Sequence, residues 1–301
     1  MNLMKFKESL LFFELQNNVK LPALGFGTAK LETEQEAISA IINAFQAGYR
    51  LVDTAPVYNN EHLLGQAIKE ISSEIPRNEL IISSKVSNEE RSSSRDQGGG
   101  YNETLAAFDK TLMRLGLEYL DLYLIHWPVP RYFEKSYQAL NIETWHAMEK
   151  LYNEGKIRAI GVCNFLSRHL EALAPYINVQ PMINQIEVHP QYQEKELVSY
   201  CQVKGMIVEG YATLQRGEVF NIPLLKEISE KYKRTVAQIC IRWSYQRNIL
   251  PIAKASSIER MKENVDIFDF EIDAEDMAKF DILDTDHAHE QHWSYKRQLE
   301  N

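Results

Sequence analysis

Asp53, Tyr58, Lys85 and His126 are residue types that could share acid–base chemistry. A phenol is a weak acid, with a reference pKa of about 10. A neighbouring ammonium stabilises the phenolate and lowers that value by about 1–3 units. Tyr58 with Lys85 makes such a pair, and Asp53 would hold Lys85 charged and aimed. His126 can donate a hydrogen bond to a carbonyl oxygen and fix its orientation. The set suits reduction of a carbonyl, which needs a hydride source and a proton donor for the developing alkoxide. Taken singly, each residue has a plainer reading. Asp53 could be a cap or an ion-pair partner, Tyr58 packing, and Lys85 solvated. His126, between Ile125 and Trp127, could be a hydrogen-bonded core residue.

The elements that must carry these residues alternate between strand and helix signals. Thr33 and Glu36 have capping-box spacing, and Ala37, Ile38, Ile41, Ile42 and Phe45 follow at helical intervals up to Gly48. Leu51-Val52 is a short apolar run ending in Asp53. A helix over 61–70 follows, then a strand over 80–82 that ends near Lys85. Leu105, Phe108, Leu112 and Leu115 mark a helix closed by Gly116, and the strand 120–125 ends at His126. Further strands are expected over 157–162, running into Cys163-Asn164, over 182–186 with Asn184 and Gln185, over 206–208 leading to Tyr211, and over 250–252 before Lys254. Helices are expected over 142–151, 195–204, 224–232 and 236–246.

With Leu24-Gly25-Phe26-Gly27 there are eight strands separated by helices and no hairpins among them, which predicts an all-parallel sheet. Asp53, Lys85, His126, Asn164, Gln185, Tyr211 and Lys254 all fall at carboxyl ends of these strands. A doubly wound sheet gathers ligand residues only at its switch point. Seven polar strand ends in succession favour closure into a (β/α)8 TIM barrel with one functional mouth. No composition break divides the chain, so residues 1–301 read as a single barrel domain. Residues 11–22 are expected to form a hairpin, with Asn17-Asn18 in its turn, capping the barrel bottom. Ser92-Ser93-Ser94 through Gly98-Gly99-Gly100 reads as a flexible loop on the mouth side.

Composition narrows the function classes. Lys plus Arg is 33 and Asp plus Glu is 42, a net charge of −9, which argues against nucleic acid or an anionic membrane as the main partner. No apolar run approaches the ~18 residues of a membrane span. Three widely spaced cysteines, Cys163, Cys201 and Cys240, form neither a disulfide framework nor a CxxC pair. That pattern fits a reducing compartment, and a cytoplasmic location is expected. Gly25-Phe26-Gly27-Thr28 is not a GxGxxG fingerprint, so a Rossmann reading is weak.

Three segments carry a family resemblance. The segment 48–65, through Asp53, Thr54, Ala55, Tyr58, Asn60, Glu61 and Gly65, resembles the first signature of the aldo/keto reductase family. Residues 158–165 resemble the second, with Cys163 where serine is commoner. Ile252-Ala253-Lys254 with Arg260 and Asn264 resembles the third, broken at Ala255. Leu124 to Pro128 and Asn184 to Pro190 fit the same family, and the likeness spans residues 20–285.

The resemblance implies a cofactor-dependent reductase of aldehydes and ketones, with Asp53, Tyr58, Lys85 and His126 as its catalytic set. It places NADPH/NADP+, in preference to NAD, at Gly27, Thr28, Asp53, Cys163, Asn164, Gln185, Tyr211, Leu214, Lys254, Ser256, Arg260 and Asn264. The nicotinamide would stack on Tyr211, with its carboxamide held by Asn164 and Gln185. Cys163 would supply a weaker contact than serine. Lys254 and Arg260 would clamp the 2′-phosphate and Asn264 would reach the adenine. Ala29, Tyr58, His126 and Trp127 would face the substrate. Ala29 and Ser87 stand where better-known relatives carry aromatic rings, which implies a wider mouth.

The tail 286–293, with His287, His289 and His292, is expected to lean over the mouth as family tails do, and no metal site is expected. The partner is a small-molecule carbonyl, and the chain reads as a monomer or weak homo-oligomer. The alternative is a non-catalytic, cofactor-carrying sensor subunit on the same fold. Such a protein should lose a member of the catalytic set or gain a long partner-binding N-terminal segment, and neither is seen. A glycosidase barrel would need two carboxylates about 5–9.5 Å apart at the mouth. Only Asp53 and Glu187 qualify, and Lys85 explains Asp53 better.

Overall fold

A computed structural model describes residues 12–31, 33–92, 100–130 and 137–285, together with residue 288. Strands β1 (Phe12–Glu14) and β2 (Lys20–Pro22) pair antiparallel as the expected hairpin, with Phe13 opposite Leu21. Asn18 takes the left-handed turn conformation, with φ of 65°. The Asn17 side-chain amide donates to the Arg158 carbonyl at 2.8 Å, which ties the turn to the barrel.

The barrel strands are β3 (Gly25–Gly27), β4 (Leu51–Asp53), β5 (Ile81–Val86), β6 (Leu120–Ile125), β7 (Ile157–Cys163), β8 (Ile183–Glu187), β9 (Ile207–Tyr211) and β10 (Ile249–Pro251). They are hydrogen-bonded in sequence order, each parallel to the next. A parallel bridge from Gly25 to Ile252, with the Ala253 amide donating to the Gly25 carbonyl at 2.9 Å, joins the last strand to the first. A Cβ at Gly25 would lie 2.3 Å from Ile252 Cδ1 and 2.5 Å from Leu51 Cδ2, so a larger residue at that seam would make these side chains shift.

Alternation along each strand divides the apolar residues between two cores. Leu51, Ile81, Leu122, Leu124, Ala159, Ile183 and Leu250 pack inside the barrel with Phe13, Leu15 and Leu21 of the hairpin. Val52, Ile82, Val86, Tyr123, Ile125, Ile160, Val162, Ile186 and Val208 face outward, into the shell under the helices. The hairpin thus fills the end of the barrel at which the strands begin, leaving the other end for polar side chains.

The helices lie close to their expected spans, among them Glu34–Gln46, Glu61–Ile71, Tyr101–Leu115, Tyr137–Asn153, Lys195–Val203, Pro223–Tyr232 and Val236–Gln246. Thr33 caps the first by accepting from the Glu36 amide at 3.4 Å, which is one half of the expected box. Ser167–Leu173, Ile258–Val265 and the four-residue turn Asn88–Arg91 were not expected as helices. Asn88–Arg91 is too short to show a period. Ile258–Val265 buries only Met261 and Asn264, so it has little apolar stripe to read. Among the described residues, no helix is long and apolar enough to cross a membrane.

Candidate active site

Asp53 ends β4, and Lys85 lies on the neighbouring strand with the same inward parity as Ser83, the register partner of Asp53. Lys85 Nζ donates to both Asp53 oxygens, at 2.8 and 2.6 Å, and to the Thr54 carbonyl at 3.0 Å. These bonds aim the ammonium, and the side chain is fully buried. Burial favours the neutral amine, but the Asp53 charge outweighs it and raises the Lys85 pKa, so the ammonium persists. The Ser83 hydroxyl adds a hydrogen bond to Asp53 Oδ1 at 3.1 Å.

Tyr58 sits on a single turn of 3-10 helix, Pro56–Tyr58, just after β4. Asn60 fixes that loop. Its amide donates to the Thr28 carbonyl at 2.9 Å, and its Oδ1 accepts from the Thr28 and Thr54 hydroxyls at 3.3 and 3.1 Å. Lys85 Nζ lies 5.4 Å from the centre of the Tyr58 ring. The His126 ring stands edge-on to the Tyr58 ring at 6.0 Å and stacks on Trp127 at 6.4 Å. The four residues expected from the sequence therefore meet at one place.

Their electrostatics differ in one respect from the expectation. Burial pushes the Tyr58 phenol up to about 12, with Lys85 pulling against it and Asp53 adding to the rise. Lys85 restrains the phenol but does not bring it below its ordinary value, because desolvation is the larger effect. Tyr58 is thus fully protonated at neutral pH, as a proton donor must be. Burial, reinforced by Lys85, holds His126 well below its ordinary value, so the imidazole is neutral and can donate from one nitrogen.

Beside this group lie Cys163, Asn164, Gln185 and Tyr211. Asn164 adopts φ of 63°, which turns its side chain back onto the site. Its Nδ2 donates to the His126 carbonyl at 3.0 Å and to Cys163 Sγ at 3.2 Å, and its Oδ1 accepts from the Tyr211 hydroxyl at 2.9 Å. Burial raises the Cys163 thiol, so it stays neutral. Gln185 Nε2 donates to Asp53 Oδ1 at 3.0 Å and to Glu209 Oε2 at 2.9 Å, so both amide hydrogens point toward carboxylates. Glu209 was missed in the sequence. Its signal was parity, for it stands two residues before Tyr211 on β9 and so shares its inward face.

The outer positions are more open. Gly27 ends β3, but the Thr28 hydroxyl is committed to the Asp53 carbonyl and to Asn60. Lys254, Ser256 and Arg260 are exposed around the start of helix Ile258–Val265, and Lys254 Nζ donates to the Ala29 carbonyl at 2.8 Å. Asn264 is buried next to the Tyr49 phenol, with which its side chain interacts. Leu214 is partly buried after β9, and Ala29 is partly exposed.

Two further residues shape the mouth. Ser87, read as an absent ring, caps Asn88–Arg91 through a reciprocal box with Glu90. Arg91 is wholly buried and donates to Asn88 Oδ1, Asn141 Oδ1 and the Trp127 and Pro128 carbonyls at 2.7–3.2 Å. It pins the turn that follows His126. The expected tail over the mouth, with its three histidines, lies outside the described residues. Among the described residues, no group of three or more His, Cys, Asp or Glu could hold a metal ion.

The aldo/keto reductase family profile matches residues 23–285. A glyoxal reductase of Bacillus subtilis is 44% identical over 273 residues, which cover 91% of this chain and 92% of the relative. A morphine 6-dehydrogenase of Pseudomonas putida is 38% identical over 284 residues, 90% of each chain. Among solved structures, an aldo-keto reductase from a Medee basin deep-sea metagenome library superposes with a TM-score of 0.83 at 37% identity, covering 92% of this chain and 96% of the other. A Bombyx mori aldo-keto reductase in complex with NADP gives 0.82 at 30% identity, covering 92% and 94%. A closed eight-stranded barrel, a buried Asp–Lys pair beside a tyrosine and a histidine, and a profile match over most of the sequence lead to one assignment: the chain belongs to the aldo/keto reductase family, oxidoreductases of carbonyl compounds.

Proposed function

We propose that the protein reduces aldehydes and ketones to alcohols with NADPH, using Tyr58 as the proton donor. The observation that carries this reading is the buried Lys85 ammonium, fixed by Asp53 and lying against the Tyr58 ring, with a neutral His126 edge-on beside it. When bound, NADPH supplies the hydride. His126 holds the carbonyl oxygen by a hydrogen bond. The Tyr58 O–H bond breaks as its proton passes to the developing alkoxide, and Lys85 stabilises the phenolate left behind. Asp53 keeps Lys85 charged and immobile.

The donor set fits the cofactor. The half-exposed Tyr211 ring offers a stacking surface, with the Asn164 and Gln185 amides beside it and Cys163, Gly27, Thr28 and Leu214 around it. Lys254, Ser256 and Arg260, gathered at one helix start, suit a 2′-phosphate, which favours NADPH over NADH. The Asn264 amide, beside Tyr49, would reach the adenine. Ala29 and Trp127 would face the substrate.

Similarity to a named glyoxal reductase favours small 2-oxoaldehydes, with sugar-derived and keto compounds as further substrates. The protein is taken to work as a cytoplasmic single-domain barrel, monomeric or weakly self-associating, with no nucleic-acid or membrane partner. Loss of NADPH absorbance on adding methylglyoxal, followed by a panel of larger carbonyls, tests the reading. Turnover with NADPH well above that with NADH is expected. No turnover with any carbonyl would contradict it.

A further inference from the structure

Glu209 is a buried carboxylate that forms no ion pair among the described residues. It lies mid-strand on β9, where Leu250 of β10 is its register partner on one side and Gln185 of β8 on the other. Its Oε2 accepts from Gln185 Nε2 at 2.9 Å, while its Oε1 is buried without a hydrogen-bond partner among the described residues. The same Gln185 nitrogen donates to Asp53 Oδ1 at 3.0 Å. Two carboxylates therefore share one amide, and the one ammonium in contact, Lys85, sits on Asp53. A buried charge without a cation is costly, and an unsatisfied oxygen adds to that cost. An apolar residue at this inward position would pack with Leu250 at no such penalty.

We propose that Glu209 is a positioning residue for proton donation by Tyr58: through the Gln185 amide it holds Asp53 and Lys85 in place, and its change of charge adjusts the field at the phenol. The inference rests on the proposed function above. Asp53, Lys85 and Cys163 are the titratable groups that face Glu209. Burial, with Asp53 adding to it, pushes Glu209 up to about 7, into the range where it changes charge near neutrality. With Glu209 protonated, the Asp53–Lys85 pair is neutral overall and Lys85 is available to stabilise a phenolate. With Glu209 ionised, a second negative charge opposes that phenolate. Proton donation therefore weakens as pH rises through neutrality.

The test compares the wild type with Glu209→Gln, Glu209→Asp and Glu209→Ala in NADPH-dependent carbonyl reduction across pH. Wild-type kcat is expected to fall about threefold to tenfold from about pH 6 to about pH 8, a one-unit change in the donor being worth up to tenfold. Glu209→Gln keeps an oxygen for Gln185 but no charge, and its profile should be flat. Glu209→Asp should keep the step. Glu209→Ala should lower kcat at about pH 6, where the wild-type carboxyl is protonated, with the carbonyl KM little changed. A Glu209→Gln profile parallel to that of the wild type would overturn the proposal and leave the proposed function standing.

A second readout needs no turnover. Carbon-13 NMR of glutamate side-chain carboxyls, with Glu209 assigned by its loss in Glu209→Gln, should give a midpoint near neutrality. That midpoint should rise in Gln185→Leu, which removes a hydrogen bond to the charged form. A midpoint at the ordinary glutamate value of about 4.3 would overturn the proposal. A wild type that reduced no carbonyl would overturn the proposed function, while the NMR result would still decide whether Glu209 titrates in this network.

Discussion

Asp53 closes on Lys85 with both carboxylate oxygens, at 2.8 and 2.6 Å, and the lysine is fully withdrawn from water. Such a pair resists loss of either member, because the survivor is a buried charge with no partner. We predict that Lys85→Met destabilises the protein by about 3–5 kcal/mol and abolishes turnover. The Asp53→Leu/Lys85→Met double variant should recover part of that stability. Urea unfolding of both single variants and the double variant measures the coupling. Strictly additive losses would show that the two side chains do not depend on each other.

Two buried imidazoles set the acid side of the stability profile. Burial, reinforced by a neighbouring cation, holds His126 well below 6.5 and His169 at about 4. The unfolded chain, with ordinary imidazoles, takes up protons first as pH falls. Their contribution to stability is therefore full above about pH 6.5 and is lost between that value and the folded pKa, while Glu209, with its raised pKa, contributes in the opposite sense. His169→Gln keeps an acceptor for the Leu166 amide, to which His169 Nδ1 is bonded at 3.1 Å. Its urea midpoint should fall less than that of the wild type between pH 7 and pH 5. An equal fall would assign the acid sensitivity elsewhere.

Cofactor choice should rest on exposed side chains that leave the reaction centre untouched. Arg260→Ala should weaken NADPH about 10- to 100-fold, as expected for one charge-assisted contact, and leave NADH almost unaffected. Binding of each nucleotide, followed by tyrosine and tryptophan fluorescence, separates the two. Equal weakening of both would place Arg260 against a group they share.

Arg91 holds the turn after His126 entirely through neutral oxygens. Burial lowers its pKa to about 9, with Glu89 opposing, so it remains charged at neutral pH. Arg91→Met should free the Trp127–Pro128 turn, raising the carbonyl KM several-fold with a smaller change in kcat. Steady-state kinetics on one small and one bulky carbonyl checks this. Unchanged KM for both would mean the turn holds its shape without Arg91.

The barrel was legible because apolar runs ending in polar residues such as Asp53, Lys85, His126 and Tyr211 alternate with helical periods, and polar ends on successive strands favour closure over an open doubly wound sheet. Of the four candidate catalytic residues, Asp53, Lys85 and His126 were legible at or beside such ends, whereas Tyr58 follows β4 on a 3-10 turn and was marked by the family resemblance. Glu209 was not noticed, because a glutamate inside an apolar strand gives no spacing pattern, and only its parity with Tyr211 marks it as inward. Arg91 and Ser87 were hidden for other reasons. The partners of Arg91, Asn141 and Trp127, come together only once loops from different strands fold over the mouth, whereas the Ser87–Glu90 box is local and its spacing was not read as a cap. The downward pull of Lys85 on Tyr58 is present as expected, but the larger rise from burial was not legible, because charge pairs are visible in a sequence whereas desolvation depends on what packs around the ring.

The central claim is that Tyr58 is the proton donor, and single-site removal of its hydroxyl tests it most directly. Tyr58→Phe keeps the ring that lies against Lys85 and His126 and deletes only the O–H. Turnover of methylglyoxal with saturating NADPH should fall at least ~10²-fold, the usual scale for a general acid, with NADPH affinity unchanged. A Tyr58→Phe protein that turned over at close to the wild-type rate would contradict the account.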